Sequence, residues 1–268
     1  MKVDCPQMLV VLLAAIGCAG HGAGPDASAG PGDASPTTDG PGNMPSVGAH
    51  AINFYHQNDS TAASISTPVM ATHAGSTIVV SVGRGVYDTF LLPDALPTDT
   101  KGNAPYRELG DANKYTRWTS SGTALYASES ARGGANQVIT TKTTAGDEVT
   151  LAAVEVVDGT HVEDFTWNEV VQPDPIPTPP VTLTSGSVKT TGPATLIAFW
   201  WGDGYPDTTP QTATPNNDFI PIEANVQELH AFVQCAVAVR SVTKAGTYDV
   251  TWTATPAQGA QMWLIAVQ

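Results

Sequence analysis

The chain has 268 residues, and its 11 Lys and Arg against 25 Asp and Glu give a formal net charge of −14 at pH 7. Nucleic acids attract proteins through clustered Lys and Arg, and the sequence has no such cluster, so DNA and RNA are excluded as partners. The acidic composition instead suits solubility and the binding of divalent cations.

The chain begins with a short apolar run, Met8–Gly17, that follows a single lysine and stops at Cys18. A membrane-spanning helix needs about 20 apolar residues, so this run predicts a cleaved signal peptide rather than a retained anchor. An ordinary secretory signal peptide with a cysteine in its core is one interpretation. The tetrad "AIGC", Ala15–Cys18, favours another, because it resembles the lipobox of bacterial lipoproteins.

The lipobox resemblance implies that residues 1–17 are a lipoprotein signal peptide and that the thiol of Cys18 carries a diacylglyceryl group. The membrane is then a partner of the chain through its lipid. Ala19 and Gly20 follow the cysteine in place of an acidic retention signal. In a bacterium with two membranes, the resemblance therefore implies the outer membrane.

Residues 18–47 are rich in Gly, Pro, Ala, Ser and Asp and almost lack large apolar side chains. Such a composition cannot build a core and is typical of a flexible tether. About thirty residues of this kind have a root-mean-square reach on the order of 30 Å, which would lift a folded head clear of lipid headgroups. The head is predicted to occupy residues 48–268 as a single domain.

The head consists of short β-branched or aromatic runs separated by Gly, Pro, Asn, Asp and Ser, without a long amphipathic helical pattern. This pattern predicts an all-β domain, an antiparallel β-sandwich of jelly-roll type. The proline-rich stretch Thr166–Thr182 is interpreted as a connector between sheets. The predicted strands lie near residues 51–57, 76–84, 123–130, 136–143, 148–157, 181–190, 194–201, 229–240, 247–254 and 261–267.

Three turn-like motifs punctuate these runs: "GNAPY" at Gly102–Tyr106, "GGAN" at Gly133–Asn136 and "GTY" at Gly246–Tyr248. Glycine supplies positive φ at turns and asparagine tolerates it, so the motifs are interpreted as folding signals. With the strands around them, they resemble a β-sandwich domain of secreted bacterial and phage-related surface proteins. The resemblance spans nearly the whole head and implies a module for surface display and binding, without a catalytic activity.

One strand ends in two adjacent tryptophans, within "LIAFWWGDGYPDTTP" at Leu196–Pro210. Neighbouring side chains of a strand point to opposite faces, so Trp200 and Trp201 lie on different faces, and both faces are apolar. This pattern predicts an interior strand that is covered on both sides. At least one of the two tryptophans is therefore predicted to belong to the core.

The loop after the tryptophans is the candidate ligand site. Trp201 and Tyr205 are predicted to stack on a sugar, while Asp203 and Asp207 offer oxygens to sugar hydroxyls. No cofactor is predicted, although the same two carboxylates would suit Ca²⁺. The alternative is that the aromatic residues only plug the end of the sandwich.

The sequence contains no Gly-x-Ser-x-Gly elbow and no His-Glu-x-x-His or Cys-x-x-Cys motif, so no catalytic residue and no metal site is predicted. The predicted function is a non-catalytic, lipid-anchored surface protein that binds a glycan, another surface protein or an envelope component. Two alternatives stay open on the same fold. One is a polysaccharide lyase or hydrolase that uses Glu129, Glu155, Asp203 or Asp207. The other is a purely structural surface protein.

Overall fold

The computed structural model describes residues 43–58, 60–103, 105–171, 181–203, 212–225, 233–255 and 258–268. The predicted signal peptide, Cys18 and most of the tether lie outside these residues. Pro41–Gln268 forms one compact unit. The described residues form antiparallel sheets that pack as a sandwich, so the predicted all-β sandwich is confirmed. Across the same residues, no helix is both long and apolar enough to span a membrane.

The first half of the head contributes eleven of the described strands and a short 3-10 helix, Tyr87–Leu91, which follows the fourth strand. In chain order the strands are β1 (Ser46–Tyr55), β2 (Ser64–Ser66), β3 (Met70–Thr72), β4 (Thr77–Arg84), β5 (Thr98–Asp99), β6 (Arg107–Glu108), β7 (Asn113–Lys114), β8 (Gly122–Ser128), β9 (Gly134–Gln137), β10 (Ile139–Lys142) and β11 (Val149–Val157).

The second half contributes ten described strands, again joined by turns and loops. In chain order they are β12 (Val162–Val170), β13 (Val181–Thr184), β14 (Val188–Thr190), β15 (Ala194–Asp203), β16 (Thr212–Pro215), β17 (Ile220–Asn225), β18 (Val233–Val242), β19 (Gly246–Tyr248), β20 (Thr251–Thr255) and β21 (Gly259–Val267).

Two large antiparallel sheets form the middle of the head. The first has the strand order β1-β11-β4-β8-β6, with β7 also paired to β8, and the second has the order β12-β21-β15-β18-β17. Small sheets cover their outer faces. They are β2-β10-β5 and β3-β9 on the first, and β13-β20-β16 and β14-β19 on the second.

Three apolar cores hold these layers together. The central core lies between the two large sheets and joins residues such as Val79 and Leu125 of the first to Ile197 and Ile265 of the second. A second core fills the space between the first large sheet and its small sheets, and a third does the same in the second half. Because both faces of each large sheet are buried at its inner strands, strands such as β4 and β15 are apolar on both faces.

The two halves share one strand arrangement. The order of each sheet in the first half is reproduced in the second, with β12 in the place of β1, β15 in that of β4 and β21 in that of β11. Three hydrogen bonds of the first half recur at equivalent positions of the second. Asn53 Nδ2 donates to the carbonyl of Ser66 and Asn168 Nδ2 to that of Thr184, both at 2.7 Å. The N–H of Ile139 donates to Thr67 Oγ1 at 3.1 Å and that of Val250 to Ser185 Oγ at 3.0 Å, while the hydroxyl pairs Ser66–Thr140 and Thr184–Thr251 are both 2.8 Å apart. The head is therefore an internally duplicated sandwich.

The two ends of the sandwich differ in what they carry. At the N-terminal end, Thr195 Oγ1 of β15 donates a hydrogen bond of 2.8 Å to the carbonyl of Pro45, just before β1. At the distal end, β1 finishes with Tyr55, which pairs with Val149, and Val149 also pairs with Arg84. Strands of eight to ten residues rise by about 3.3 Å per residue, so the two ends are separated by about 30 Å.

The ten predicted strands all correspond to observed ones, although three of the predicted runs are split into two strands each. The connector predicted for Thr166–Thr182 is wrong at both of its ends. Thr166–Val170 belongs to β12 and Val181 to β13, while residues 172–180 lie outside the described residues. The sequence hides β12 because it is an edge strand, in which polar residues alternate with Phe165 and Trp167, the side chains that reach the central core.

The predicted turn motifs have distinct structural roles. Positive φ is confirmed at Gly102, with φ 63°, and at Gly133, with φ 65°. The first motif is organised by Asp99, whose carboxylate accepts hydrogen bonds from Asn103 Nδ2 at 2.7 Å and from Tyr106 Oη at 2.9 Å. The third motif forms strand β19 rather than a positive-φ turn.

Candidate functional site

The two adjacent tryptophans lie in β15, the central strand of the second large sheet, so the predicted interior strand is confirmed. Trp200 is 1% exposed and faces the outer core of the second half. Its ring stacks on that of Trp252, with centroids 6.2 Å apart and planes inclined by 26°. Trp200 is therefore a core residue.

Trp201 faces the other way, toward the first large sheet, and is 6% exposed. Its indole lies on the backbone of Gly83 in β4, where a Cβ atom would overlap the Nε1 and Cδ1 atoms of the ring. No hydrogen-bond partner for Nε1 is present among the described residues. Trp201 is thus too buried to be the open stacking platform that the sequence predicted.

Trp201 nevertheless borders a pocket at the distal end of the sandwich. The pocket has a volume of about 300 Å³, near the lower limit for small-molecule sites. It opens between the two halves. Its lining residues are Gln57, Gly85, Trp118, Ser120, Ser121, Glu148 and Trp201.

Trp118 supplies the exposed aromatic surface of this pocket and was not among the residues predicted from the sequence. The residue lies in the loop between β7 and β8 and is 50% exposed. The guanidinium of Arg117 lies 5.0 Å from its ring centroid. A tryptophan within the polar turn "YTRWTSSG" has no strand face to pack on, and this was the signal available in the sequence.

Hydrogen bonds hold the Trp118 loop in place. Ser121 donates to the carbonyl of Trp118 from its backbone N–H, at 2.7 Å, and from its hydroxyl, at 2.8 Å. The N–H of Thr116 donates to Glu169 Oε2 of β12 at 3.1 Å. The N–H of Tyr87 donates to the carbonyl of Ser120 at 2.6 Å. The loop is therefore fixed to both halves of the head.

The pocket combines aromatic and polar groups. Trp118 offers a flat apolar face, and Gln57, Ser120 and Glu148 contribute an amide, a hydroxyl and a carboxylate. Sugar rings present the complementary combination of apolar C–H faces and hydroxyl groups. An arrangement of this kind can bind a polar ring through stacking and hydrogen bonds together.

The other predicted ligand residues are not tested by this pocket. Asp203 ends β15, and its backbone pairs with Val233 and Gly259. Tyr205 and Asp207 lie outside the described residues, so the calcium site predicted for Asp203 and Asp207 is not described either. Within the part of the chain that the structure describes, no three His, Cys, Asp or Glu side chains are grouped as metal ligands.

Two of the four carboxylates considered for glycoside chemistry, Glu155 and Glu129, are used in the fold. Glu155 is fully buried and accepts hydrogen bonds from the N–H groups of Ala49, at 2.9 Å, and His73. Glu129 accepts from the N–H of Val162 at 3.0 Å and also binds Arg107. Neither carboxylate lines the distal pocket.

A buried charge pair lies next to the pocket in sequence. Arg84 precedes the pocket residue Gly85, and Asp147 precedes Glu148. Both side chains of the pair are fully buried, with Arg84 Nη1 3.8 Å from Asp147 Oδ2. Burial raises the pKa of the Asp147 carboxyl to about 6, although Arg84 acts in the opposite direction.

Cys235 is the free cysteine among the described residues and lies in β18, facing the central core. Burial raises the pKa of its thiol to about 12. The thiolate is the reactive form of cysteine, so Cys235 is an inert core residue rather than a nucleophile.

Comparisons of the chain with protein-family models, with curated proteins and with solved structures found no match. The resemblance to secreted surface sandwich domains therefore stays a prediction.

Proposed function

We propose that this protein is a lipid-anchored surface protein whose duplicated head binds a neutral glycan in the distal pocket. The observation that carries the proposal is the half-exposed ring of Trp118, which lines one pocket together with Trp201 and with amide, hydroxyl and carboxylate groups. The net charge of −14 and the carboxylate of Glu148 both disfavour an acidic glycan. We infer binding from the aromatic and polar groups that line the pocket, and the proposal includes no catalytic step.

We also propose that each half is a jelly roll. In the first half, the large sheet contains the order β1-β11-β4-β8 and the facing small sheet the order β2-β10-β5, and the second half repeats both. Strands that alternate between two sheets in this way support double Greek-key winding. Jelly rolls occur in lectin domains, which agrees with glycan binding but does not by itself establish it.

Binding is expected to depend on Trp118. We expect the full chain to bind one of four oligosaccharides: cellohexaose, xylohexaose, chitohexaose or maltohexaose. Titration calorimetry in a detergent without a sugar headgroup measures the binding. Trp118→Ala should weaken that binding about two- to tenfold, since the loss of one aromatic stack costs about 0.5 to 1.5 kcal/mol. The melting temperature should not change, because the ring is half exposed.

Two control variants separate stacking from general surface effects. Trp118→Phe keeps an aromatic face and should retain most of the affinity. Leu91→Ala removes another exposed apolar side chain, which is 68% exposed and does not line the pocket, and should leave binding unchanged. The proposal fails if the unaltered protein binds none of the four oligosaccharides, or if Trp118→Ala binds as tightly as the unaltered protein.

The anchor has a separate test. Cys18→Ala is expected to move the protein from the membrane to the soluble fraction and to abolish its labelling by a clickable fatty acid, because the thiol is the site of acylation in the lipobox interpretation. Unchanged membrane association of the variant would contradict the lipoprotein interpretation.

A further inference from the structure

We propose that Gly83 is a positioning residue for Trp201 and that the pair restricts the duplicated head to a single saccharide subsite, which both halves share. The inference rests on the proposed function and deepens it. It predicts one bound glycan per chain, although the fold is present twice. It also assigns a function-related role to a residue that has no side chain.

The first step is that Gly83 and Trp201 occupy equivalent positions. The β4 strand pairs with β11 and β8, and the equivalent β15 pairs with β21 and β18. Val79 of β4 and Ile197 of β15 both face the central core. The residue four positions after Val79 is Gly83, and the residue four positions after Ile197 is Trp201. The two residues therefore face each other as the same position of two copies.

The second step is steric exclusion. A Cβ atom at Gly83 would overlap the Nε1 and Cδ1 atoms of Trp201. Backbone and ring are in direct contact, and β4 is held by hydrogen bonds on both sides, so it cannot move away locally. Only one of the two equivalent positions can carry a large side chain, and the other has to be glycine.

The third step connects this contact to the pocket. Trp201 is the only lining residue that the second half contributes among the described residues, and the other lining residues belong to the first half. Its indole, held against Gly83, forms part of the wall of the pocket that Trp118 also lines. A ligand in the pocket therefore contacts both halves at once. Duplication of the fold has not duplicated this site, because the two equivalent positions are used together in one pocket.

The experiment uses the full chain labelled with 5-fluorotryptophan, which gives one ¹⁹F signal for each of its six tryptophans. The Trp201 signal is assigned with Trp201→Phe. Gly83→Ala is expected to shift the Trp201 signal strongly and to weaken oligosaccharide binding at least tenfold. Gly192→Ala is the matched control. Its Cβ would meet only the terminal Nε2 of Gln268, at 3.1 Å, so neither the signal nor binding should change.

A second variant covers the case in which Gly83→Ala folds poorly. Adding Trp201→Leu makes room for the new methyl group and is expected to restore the melting temperature, while oligosaccharide binding stays lost. Titration of the unaltered protein should give one ligand per chain.

The outcomes distinguish this inference from the proposed function. An unshifted Trp201 signal in Gly83→Ala, no recovery of stability with Trp201→Leu, or two ligands per chain would overturn the inference and leave glycan binding intact. Absence of binding to the unaltered protein would overturn the proposed function and the shared subsite with it.

Discussion

Arg84→Met is expected to lower the free energy of unfolding by about 3 to 5 kcal/mol at pH 8, because removing one partner of a buried ion pair leaves the other charge without compensation. Arg84 is fully buried, donates a hydrogen bond of 2.9 Å to Thr141 Oγ1 and lies 4.9 Å from the ring centroid of Phe90. Its loss leaves the buried carboxylate of Asp147 without a countercharge, with hydrogen bonds from the N–H of Val86, at 2.9 Å, and the hydroxyl of Thr143, at 3.2 Å. Denaturant unfolding of the full chain measures the change.

The loss is expected to be smaller at pH 5. Burial already raises the pKa of Asp147 to about 6 with Arg84 present, and removing the guanidinium raises it further. The unfolded carboxyl has a pKa of about 3.9, so the native state of the variant binds the proton more tightly than the unfolded chain does. The free energy of unfolding of the variant therefore decreases as the pH rises from about 4 through the raised native pKa of Asp147.

The double variant Arg84→Met/Asp147→Asn is the control for this explanation. A buried charge pair that is replaced by neutral groups of similar size often costs little, so the double variant should recover most of the lost stability and its pH dependence should be weaker. A loss that is independent of pH and is not recovered by Asp147→Asn would show that the side chain of Arg84 matters through packing alone.

Trp200→Ala is expected to cost about 3 to 5 kcal/mol and to lower the melting temperature by about 10 °C, because it leaves a cavity in a closed core. Trp200 is 1% exposed and stacks on Trp252, with its centroid 6.2 Å away. Small residues such as Ala236 and Ala260 surround it in the same core and cannot fill the space that it leaves. Thermal melting of the variant measures the effect.

Trp201→Ala is the matched variant on the opposite face of the same strand. It should cost less stability, because its cavity opens into the distal pocket, where water can enter, and because it removes a buried Nε1 without a hydrogen-bond partner among the described residues. It should also abolish oligosaccharide binding. If both variants melt at the same temperature and Trp201→Ala still binds, the tryptophan pair is purely scaffold.

The inner strands of the large sheets could be predicted from sequence because both of their faces are buried. Continuous apolar runs such as Ala194–Trp201 and Val149–Val157 carry this signal clearly. The duplication could not be recognised in the same way, since equivalent positions differ in size and charge. Ser81 corresponds to Phe199, and Arg84 corresponds to a glycine that the ring of Trp200 covers.

The candidate site could be predicted only in part. Trp201 was found because two adjacent tryptophans before a glycine are visible in the sequence, and it does border the pocket. Trp118 was missed because it is far from Trp201 in the chain, and the two residues line one pocket only because the two large sheets stack. Contacts between sheets depend on which loops come together, and periodicity within one strand does not contain that information.

The separation between the Pro45 end and the pocket has a mechanical consequence. If the chain is held by its N-terminus and a glycan is pulled from the opposite side, the tension runs lengthwise through β1. Its hydrogen bonds to β11 are perpendicular to the strands, so the pulling force loads them in shear. They carry the force together instead of opening one after another. A head connected in this way would resist detachment forces between a cell and its surroundings, and single-molecule pulling would measure the rupture force.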